Sequence, residues 1–482
     1  MPDEAGMLTY NFDRDSKTPI YEQLYNFIKS DIISGVICGG EKLPSKRELA
    51  AHLGISKVTV EASYGALIDE GYVTSVEKKG YYCEKSLAIN TDVKAAAGRN
   101  SHYSYIPDDT VKGRRYAIDL CSNSVPRDQF PFSVWSHLMR EVISDYRLEL
   151  LDPIPFNGVY RLRQAISRYL LSERGMSISP DCIIIGSGSE YLYTQIIRLL
   201  GNDRVYGIEN PCYPKISEVY RMNKANCLPV SFAENGTDSG NIKECGADIL
   251  HISPSHNFPT GRIMSAKKRH EIISWANAGD RYIVEDDFDS ELRFGGKPIP
   301  TLQTLDTRGR VIYINTFSKT ISPSLRLGYM VLPDSLARRY GEMLSFSACT
   351  VPSFEQYLLA EFIEKGYFER HLSRTKKYYE LLRSELLSEY RSHPAAGISR
   401  LSESDAGLHF TLNLKTDMPE SEIKKKLEMR GIKAAFISDY YHSGVKTPPA
   451  YRHGLLINYS GTDTLQFKTA LDNLYEILEE AE

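Results

Sequence analysis

The chain has 482 residues, of which 42% are hydrophobic and 25% are charged. This is about three times the ~150 residues of a typical domain, so we expect at least two folded units, and the composition excludes a largely disordered chain. The formal net charge of −4 argues against non-specific polyanion binding by the whole chain, but leaves open a local basic face.

The sequence contains no run of about 18 apolar residues that would predict a membrane helix. Its N-terminus is acidic and polar, unlike a signal peptide. The eight cysteines are scattered without metal-ligand spacing. We therefore expect a cytoplasmic protein with reduced thiols, no metal site and no membrane partner.

Residues 12–84 alternate short helical patterns with sharp turns. Apolar side chains recur at helical spacing over 20–32, which predicts a first helix. Ser45 followed by Glu48 is a capping-box pattern at the start of a second helix, and a third helix follows a glycine-containing turn. The segment YVTSVEKKGYYCE at 72–84 then predicts a two-stranded hairpin. Together these elements predict a helix-turn-helix domain with a wing.

Residues 85–117 show no sustained period and are predicted to be an interdomain linker. The remainder, 118–482, alternates apolar runs with helical patterns, and seven runs are expected as strands: 182–185, 204–208, 226–232, 248–252, 281–285, 311–315 and 328–332. Because these runs are continuously apolar, they predict a mostly parallel seven-stranded sheet covered on both faces. A smaller α+β unit is predicted from helices at 355–365 and 369–390 and strands at 409–414 and 455–459.

A recognition helix needs small hydrogen-bonding side chains in its first turn and nearby cations that meet phosphates. Candidates for these roles lie around the second helix, at the start of the third and at the hairpin tip: Lys42, Ser45, Lys46, Arg47, Ser56, Lys57, Thr59, Lys78, Lys79 and Gly80. An alternative is a solvated surface on a three-helix packing module. Residues 1–86 hold ten Lys/Arg against thirteen Asp/Glu, which keeps this alternative open.

The segments QL at 23–24, LPSKRELAAHLGISKVTV at 43–60 and KG at 79–80 resemble the winged helix-turn-helix of the GntR-type bacterial regulators. The resemblance covers nearly all of 18–84 and implies that this unit binds DNA. Two departures are Lys57, where arginine is usual, and Ser63, where alanine is usual. At position 57, lysine replaces the planar guanidinium of arginine, which can form two parallel hydrogen bonds, by a single ammonium charge.

A second group of candidates lies in INTFSKTISPSLRLGY at 314–329. Lys319 follows an apolar strand there, between the hydroxyls of Thr316 and Ser318 and the guanidinium of Arg326. An imine-forming lysine must be partly desolvated so that its amine is neutral part of the time. A phosphate beside it needs short hydroxyl donors and a guanidinium. Taken singly, each feature is also compatible with an ordinary surface or turn.

Two further predicted strands end in polar groups. IIIGSGSEYLY at 183–193 passes from a strand through glycines into a helix, so its backbone N–H groups can hold a phosphate. RYIVEDDFD at 281–289 ends in carboxylates, of which Asp286 is placed to pair with a pyridinium nitrogen. The carboxyl edge of an open α/β sheet is where such folds bind ligands, so the three clusters together predict one site.

These segments are similar to fold-type I aminotransferases, the aspartate aminotransferase-like enzymes, from about Ile118 to the end of the chain. The resemblance implies pyridoxal 5′-phosphate as cofactor, Lys319 as the Schiff-base lysine and Asp286 as the pyridinium partner. It also assigns positions around the ring and the phosphate: Tyr213 stacked on the ring, Asn257 in the loop SPSHNFPTG (253–261) beside the phenolic oxygen, and Ser189, Thr316, Ser318 and Arg326 on the phosphate.

Three positions depart from the aminotransferase pattern. Phe288 stands where a tyrosine usually reaches the phenolic oxygen, and Glu190 stands where a glutamine usually helps to bind the phosphate. Leu456, in LLINYS at 455–460, replaces the arginine that holds a substrate carboxylate, and Arg452 is a weak substitute. Ordinary transamination of an α-amino acid is therefore not expected.

A GntR-type head joined by a linker to an aminotransferase-like body is the architecture of MocR-type (GabR-like) transcriptional regulators, which the chain resembles. The resemblance implies a head-to-tail homodimer that binds operator DNA at repeated half-sites and senses a small-molecule effector, either a metabolite or pyridoxal phosphate itself. One alternative is an active aminotransferase with an appended DNA-binding head. Another is a DNA-binding protein whose C-terminal body has lost the cofactor and only dimerises.

Overall fold

The structure is a computed structural model, which describes residues 7–14, 16, 18–84, 116–122, 124–126, 129–233, 236–237, 246–295, 299–402 and 407–480. The chain divides into two compact units, residues 1–114 and 115–482. The predicted linker at 85–117 lies outside the described residues except for its last two, and it stays a prediction.

The first unit contains three helices and a small sheet: α1 (Ile20–Ser34), β1 (Lys42–Leu43), α2 (Lys46–Leu53), α3 (Lys57–Asp69), β2 (Val73–Val76) and β3 (Gly80–Cys83). The predicted capping box is confirmed, since the Ser45 hydroxyl accepts from the Glu48 N–H and the Glu48 carboxylate accepts from the Ser45 N–H. The predicted two-stranded hairpin has a third member, because β1 pairs antiparallel with β3 to give the order β1-β3-β2.

The core of the first unit is built from one apolar face of each helix and includes Leu24, Ile28, Ile32, Leu49, Val60, Tyr64 and Leu67. Ser63, at the position where alanine is usual, is fully buried in the same unit. Its hydroxyl lies 2.7 Å from the Tyr21 carbonyl oxygen and 2.9 Å from the Thr59 carbonyl oxygen, so the extra polar group is satisfied.

The second unit opens with a two-residue strand, β4 (Ile118–Asp119), and continues into the main sheet. The sheet strands are β5 (Ile183–Gly186), β6 (Val205–Asn210), β7 (Asn226–Ala233), β8 (Gly236–Thr237), β9 (Ile249–Ile252), β10 (Tyr282–Asp286), β11 (Val311–Thr316) and β12 (Gly328–Val331). Their order is β5-β12-β11-β10-β9-β6-β7-β8. All seven predicted strands are confirmed, and the two-residue β8 extends the sheet to eight.

The sheet is mostly parallel, as predicted. The pairs among β7, β6, β9, β10 and β11 are parallel, whereas β12 runs antiparallel to both of its neighbours. Its helices and those that follow are α4 (Phe132–Asp145), α5 (Tyr160–Arg174), α6 (Ser189–Leu200), α7 (Pro214–Met222), α8 (Ala266–Asn277), α9 (Leu302–Leu305), α10 (Asp334–Leu344), α11 (Ser353–Glu364) and α12 (Tyr367–Ser392). One apolar cluster packs α4, α5 and α11 against the sheet, and another packs α6, α7 and α10 against it.

The predicted smaller α+β unit is present, but the helix predicted at 355–365 as part of it, α11, packs against the main sheet instead. The unit contains β13 (Ser399–Ser402), β14 (His409–Leu414), α13 (Glu420–Met429), β15 (Ile432–Lys433), β16 (Ala435–Phe436), β17 (Gly454–Asn458) and α14 (Thr464–Glu479). Its sheet has the order β13-β14-β17-β16, and β15 pairs with β4. Among the described helices, none is both long and apolar enough to cross a lipid bilayer.

Candidate functional site

The ends of three strands come together at one edge of the main sheet. Thr316, the last residue of β11, lies opposite Gly328, which in turn lies opposite Gly186 at the end of β5. Because β10 and β11 are parallel neighbours, Asp286 at the end of β10 lies at the same edge. The structure therefore brings the three predicted polar clusters to one place.

Lys319 lies in the turn after β11 and is half-buried. Burial lowers the pKa of its ammonium group to about 8, and the negative charge of Asp289 opposes this shift. Burial acts in this direction because it disfavours the charged form of an amine. A lysine with this pKa is partly neutral near neutral pH, which a nucleophilic amine requires.

Asp286 is buried and is held by donors from neighbouring elements. The Tyr193 hydroxyl donates to its Oδ2 at 2.5 Å, and His251 Nε2 lies 3.4 Å from the same oxygen. The Tyr220 hydroxyl lies 3.0 Å from the other ring nitrogen of His251. Two buried aromatic hydroxyls and an imidazole thus fix the orientation of a carboxylate that can accept a proton-bearing ring nitrogen.

The turn from β5 into α6 presents backbone N–H groups at a helix N-terminus. Gly188 has φ +89°, and a Cβ there would lie 2.7 Å from the Arg326 guanidinium, so this close approach requires glycine. Ser189 is the first residue of α6 and is half-buried. Thr316 is buried and Ser318 is half-buried. Hydroxyls, helix N–H groups and a guanidinium near a helix start are the donors that a phosphate prefers.

Glu190, which stands where a glutamine usually helps to bind the phosphate, lies between two cations. Arg326 donates to its Oε2 at 2.6 Å, and the Lys215 ammonium lies 3.3 Å from its Oε1. Burial alone would raise the pKa of Glu190, but the hydrogen bond from Arg326 and its own backbone N–H lower it below the ordinary value. Its negative charge is therefore compensated within the site.

Tyr213 caps the start of α7 and is 41% exposed, with its ring centroid 6.2 Å from that of Phe258. Asn257 is buried, and its side-chain oxygen accepts from the Thr260 hydroxyl at 2.5 Å. Behind this loop, burial raises the pKa of the Glu209 carboxyl to about 8. The Ser253 N–H donates to the Glu209 carboxyl at 2.9 Å, so this carboxyl hydrogen-bonds to the backbone at the start of the loop.

A buried imidazole pair, not predicted from the sequence, adjoins Phe288. His256 Nδ1 lies 2.8 Å from Asp289 Oδ2, and the His256 and His409 ring centroids are 4.9 Å apart. The Phe288 ring lies 6.3 Å from that of His256. Burial, with His256 and Lys319 nearby, lowers the pKa of His409 well below its ordinary value, so this ring is neutral.

The position of the missing carboxylate-binding arginine is apolar. Leu456 is buried in β17, where it pairs with Thr411 of β14 and Ala435 of β16. Arg452 is exposed and precedes the strand. The structure gives no contact that would turn Arg452 toward Lys319.

In the first unit, some candidate DNA-binding side chains are exposed, and others make hydrogen bonds or ion pairs within the unit. Arg47, Lys57, Lys78 and Lys79 are exposed, and Lys42 is half-buried on β1 beside Gly80. The hydroxyls of Ser45 and Ser56 cap α2 and α3, and the Ser56 and Thr59 hydroxyls are 2.8 Å apart. Lys46 is paired instead with Glu61 at 2.6 Å.

One exposed residue of α3 was missed by the sequence reasoning. Val58 is 73% exposed between Lys57 and Thr59 at the start of the helix. An apolar side chain in the first turn of a recognition helix is suited to contact a thymine methyl group. The sequence indicates this residue because Val58 lies outside the helical spacing of the buried apolar residues of α3.

The fold and the site define a class of protein: a winged helix-turn-helix unit and a unit with the fold of pyridoxal-phosphate-dependent aminotransferases on one chain. Residues 20–83 match the model of the gntR family of bacterial regulatory proteins, and residues 116–420 match that of aminotransferase class I and II. In fold, the second unit is similar to an archaeal alanine:glyoxylate aminotransferase, with a TM-score of 0.68 and 20% identity over 77% of this chain and 93% of that one.

Two relatives match almost the whole chain. The HTH-type transcriptional regulator YdeL of Bacillus subtilis is 33% identical over 91% of this chain and 94% of its own length. The probable rhizopine catabolism regulatory protein MocR of Rhizobium meliloti is 28% identical over 96% of this chain and 94% of its own. The chain belongs to this family of MocR-type transcriptional regulators, in which a gntR-type DNA-binding domain precedes an aminotransferase class I and II domain.

Proposed function

We propose that this regulator holds pyridoxal phosphate at Lys319 and that its affinity for operator DNA changes when a small ligand binds the second unit. The observation that carries the proposal is the partly desolvated Lys319 amine, which shares a sheet edge with Asp286 and Arg326. Coupling requires that the ligand bind one conformation of the regulator better than another. A coupling of about 1–3 kcal/mol corresponds to roughly 5–150-fold regulation.

The residues at the strand edge fit the cofactor. When bound, pyridoxal phosphate supplies an aldehyde for an amine and an electron-withdrawing ring. Lys319 presents the amine, and Asp286, oriented by Tyr193, accepts the N–H of the ring. The phosphate is assigned to the α6 N-terminus and a set of side chains: Ser189, Thr316, Ser318 and Arg326.

Three further residues complete the proposed cofactor site. Tyr213, at the start of α7 and 41% exposed, would stack on the ring. Asn257 lies in a loop that is braced by Glu209 and Thr260. Glu190 stays beside the phosphate because Arg326 and Lys215 compensate its charge.

The site supports sensing better than turnover. Phe288 lacks the hydroxyl that an aminotransferase places at the phenolic oxygen, and Leu456 cannot bind a carboxylate. We therefore propose that the effector is a metabolite held in another way, or pyridoxal phosphate itself. The remaining candidate is an active aminotransferase, and rapid conversion of the bound cofactor to its amino form by common amino acids would favour it.

We propose that the second unit forms a cytoplasmic, head-to-tail homodimer, so that two winged helices read repeated operator half-sites. Support comes from exposed apolar side chains on neighbouring segments: Leu148, Leu151, Phe346 and Phe354. The segments are joined by a 2.7 Å hydrogen bond from the Ser353 hydroxyl to the Leu150 carbonyl oxygen. An exposed apolar surface of this kind is typical of a protein–protein interface.

The test is operator binding measured by fluorescence anisotropy, with genomic fragments that the protein itself selects. Cofactor-free protein, cofactor-loaded protein and loaded protein with candidate metabolites are compared. We expect at least one of these states to differ in affinity by fivefold or more, about 1 kcal/mol. Lys319→Ala should remove the dependence on cofactor, whereas Lys446→Ala, at an exposed lysine of the same unit, should retain it. Identical DNA affinity in every state would refute the proposal.

A further inference from the structure

A cavity of about 140 Å³ lies next to the turn that follows β10. Tyr169, Glu173 and Arg174 of α5 line one part of it, and Ser255 and His256 of the loop that also contains Asn257 line another. Asp286 accepts from Tyr193 of α6, but the next residue, Asp287, is paired with Arg174 at the end of α5. Since α5 and α6 belong to clusters on opposite faces of the sheet, the two carboxylates point to different sites.

The floor of this cavity is a closed ion-pair network. Arg174 lies 3.1 Å from Asp287 Oδ2, which also accepts from the Ser290 hydroxyl at 2.6 Å and the Tyr313 hydroxyl at 2.8 Å. Arg174 also donates to the Ser290 hydroxyl. The charge of Arg174 is thereby matched within the protein, and it is not the group that selects a ligand.

The inner wall carries buried acceptors. His256 is 2% exposed, and its Nδ1 lies 2.8 Å from the Asp289 carboxylate. Because a carboxylate only accepts hydrogen bonds, Nδ1 donates to Asp289, and in the tautomer with its proton on Nδ1 alone, Nε2 is an acceptor. Within the part of the chain that the structure describes, His256 Nε2, Ser255 Oγ and Glu291 Oε2 have no hydrogen-bond partner. Because an unpartnered buried polar atom destabilises the folded state, a hydrogen-bond donor is expected in the cavity.

Glu291 is held in place by one oxygen and presents the other. Asn315 Nδ2 donates to Glu291 Oε1 at 2.8 Å. Burial raises the pKa of Glu291, and a cationic donor beside Oε2 would restore its ionised form. This wall is therefore complementary to an ammonium group.

The outer wall carries cations. Arg293 and Lys376 are both half-exposed and line the cavity, and Arg293 is braced by a 2.7 Å hydrogen bond from its Nε to the Gly295 carbonyl oxygen. Glu173 also lines the cavity but is exposed, so water screens its charge more strongly. Two cations at this end favour a carboxylate.

We propose that this cavity binds a small amino acid as its zwitterion, with the ammonium group at His256 and Glu291 and the carboxylate at Arg293 and Lys376. The volume corresponds to roughly four or five water molecules, which a small amino acid can replace. The regulatory role of this cavity rests on the proposed function. The inference adds the class of ligand that the second unit senses. It also explains how an amino acid is held without an arginine at position 456.

The experiment is calorimetric titration of the full chain carrying Lys319→Ala, without cofactor or DNA. L-Alanine, L-serine and L-glutamine are the zwitterionic probes, and propionate and isopropylamine each carry only one of the two charges. We expect saturable binding of at least one zwitterion and much weaker binding of both single-charge probes. The absence of saturable binding by all three amino acids, as for a cavity filled only by water, would overturn the proposal. Propionate binding as tightly as the zwitterions would also overturn it.

A matched pair of variants locates the site. Lys376→Gln should weaken binding about tenfold, the value of one charge-assisted hydrogen bond. Lys377→Gln removes the same charge from the next, exposed residue of α12 and should leave binding unchanged. Glu291→Gln, which keeps the volume of the side chain, should weaken binding as well. Equal affinity of the Lys376 and Lys377 variants would contradict the assigned cavity. Because the titration contains neither cofactor nor DNA, its failure is distinct from failure of the proposed regulator.

Discussion

Lys57 at the start of α3 and Lys319 after β11 are the same kind of side chain in two different surroundings. Lys57 is exposed, and we propose that it contacts DNA phosphates, an interaction that salt screens. Lys319 is half-buried, and burial lowers its pKa to about 8. We therefore propose that the first unit uses lysine as a charge and the second uses it as an amine. Substitutions in the two units test the two proposed roles.

The largest effect is expected from Lys319→Ala. Without this amine no covalent link to pyridoxal phosphate forms, so the visible absorbance band of the linked cofactor should be lost completely. Absorbance spectra of purified protein after incubation with the cofactor measure this. Lys446→Ala should keep the band, and a band that survives in Lys319→Ala would show that another lysine is used.

Asp286→Asn should weaken cofactor binding by roughly 10–100-fold, because a charge-assisted hydrogen bond of about 1.5–3 kcal/mol is replaced by a neutral one. Equilibrium titration of cofactor-free protein gives the affinity. Tyr193→Phe removes only the donor that orients Asp286 and should cost less, about fivefold. If Tyr193→Phe has the larger effect, the assignment of Asp286 to the ring nitrogen is wrong.

The rate of cofactor capture should rise about tenfold per pH unit up to pH about 8 and then level off. The sign follows from the amine, which is protonated and unreactive below its pKa and neutral above it. Stopped-flow absorbance over pH 6–10 measures the profile. A rate that keeps rising toward pH 10 would place Lys319 at the ordinary pKa of an exposed lysine, and the contrast with Lys57 would vanish.

For the first unit, Arg47→Ala and Lys57→Ala should each reduce the salt slope of operator binding by about one, since each removes a phosphate contact. The slope is read from anisotropy titrations at several salt concentrations. Lys29→Ala is the charge-matched control, because Lys29 is already paired with Glu70 at 2.7 Å. If both test variants leave the salt slope unchanged, the DNA-binding face lies elsewhere on the protein.

The smallest effect is expected from Ser63→Ala, which restores the residue usual in the family. It removes one hydroxyl, whose single hydrogen lies between the Tyr21 and Thr59 carbonyl oxygens, and replaces it by a hydrogen atom. The free energy of unfolding of the first unit should change by no more than about 1 kcal/mol. Urea unfolding measures this, and a loss of several kcal/mol would mean that the hydroxyl is essential to the helix packing.

Much of the fold could be predicted because its signals are local. The seven strands of the main sheet follow from short apolar runs, and the start of α2 follows from a serine and a glutamate three residues apart. The placement of Lys319 and Asp286 just beyond or at the ends of strands was also visible, because strand ends can be read from where an apolar run stops. These features depend only on neighbours in the chain.

The amino-acid sequence by itself determined the family, the two-part organisation and the positions of the reactive groups. Only the tertiary structure decided what surrounds them: Tyr193 and His251 on Asp286, Arg326 and Lys215 on Glu190, and Asp289 on His256. These partners are separated by 25 to 136 residues along the chain. Their meeting depends on the order of strands in the sheet, and the pKa shifts depend on burial by distant helices, which no local pattern encodes.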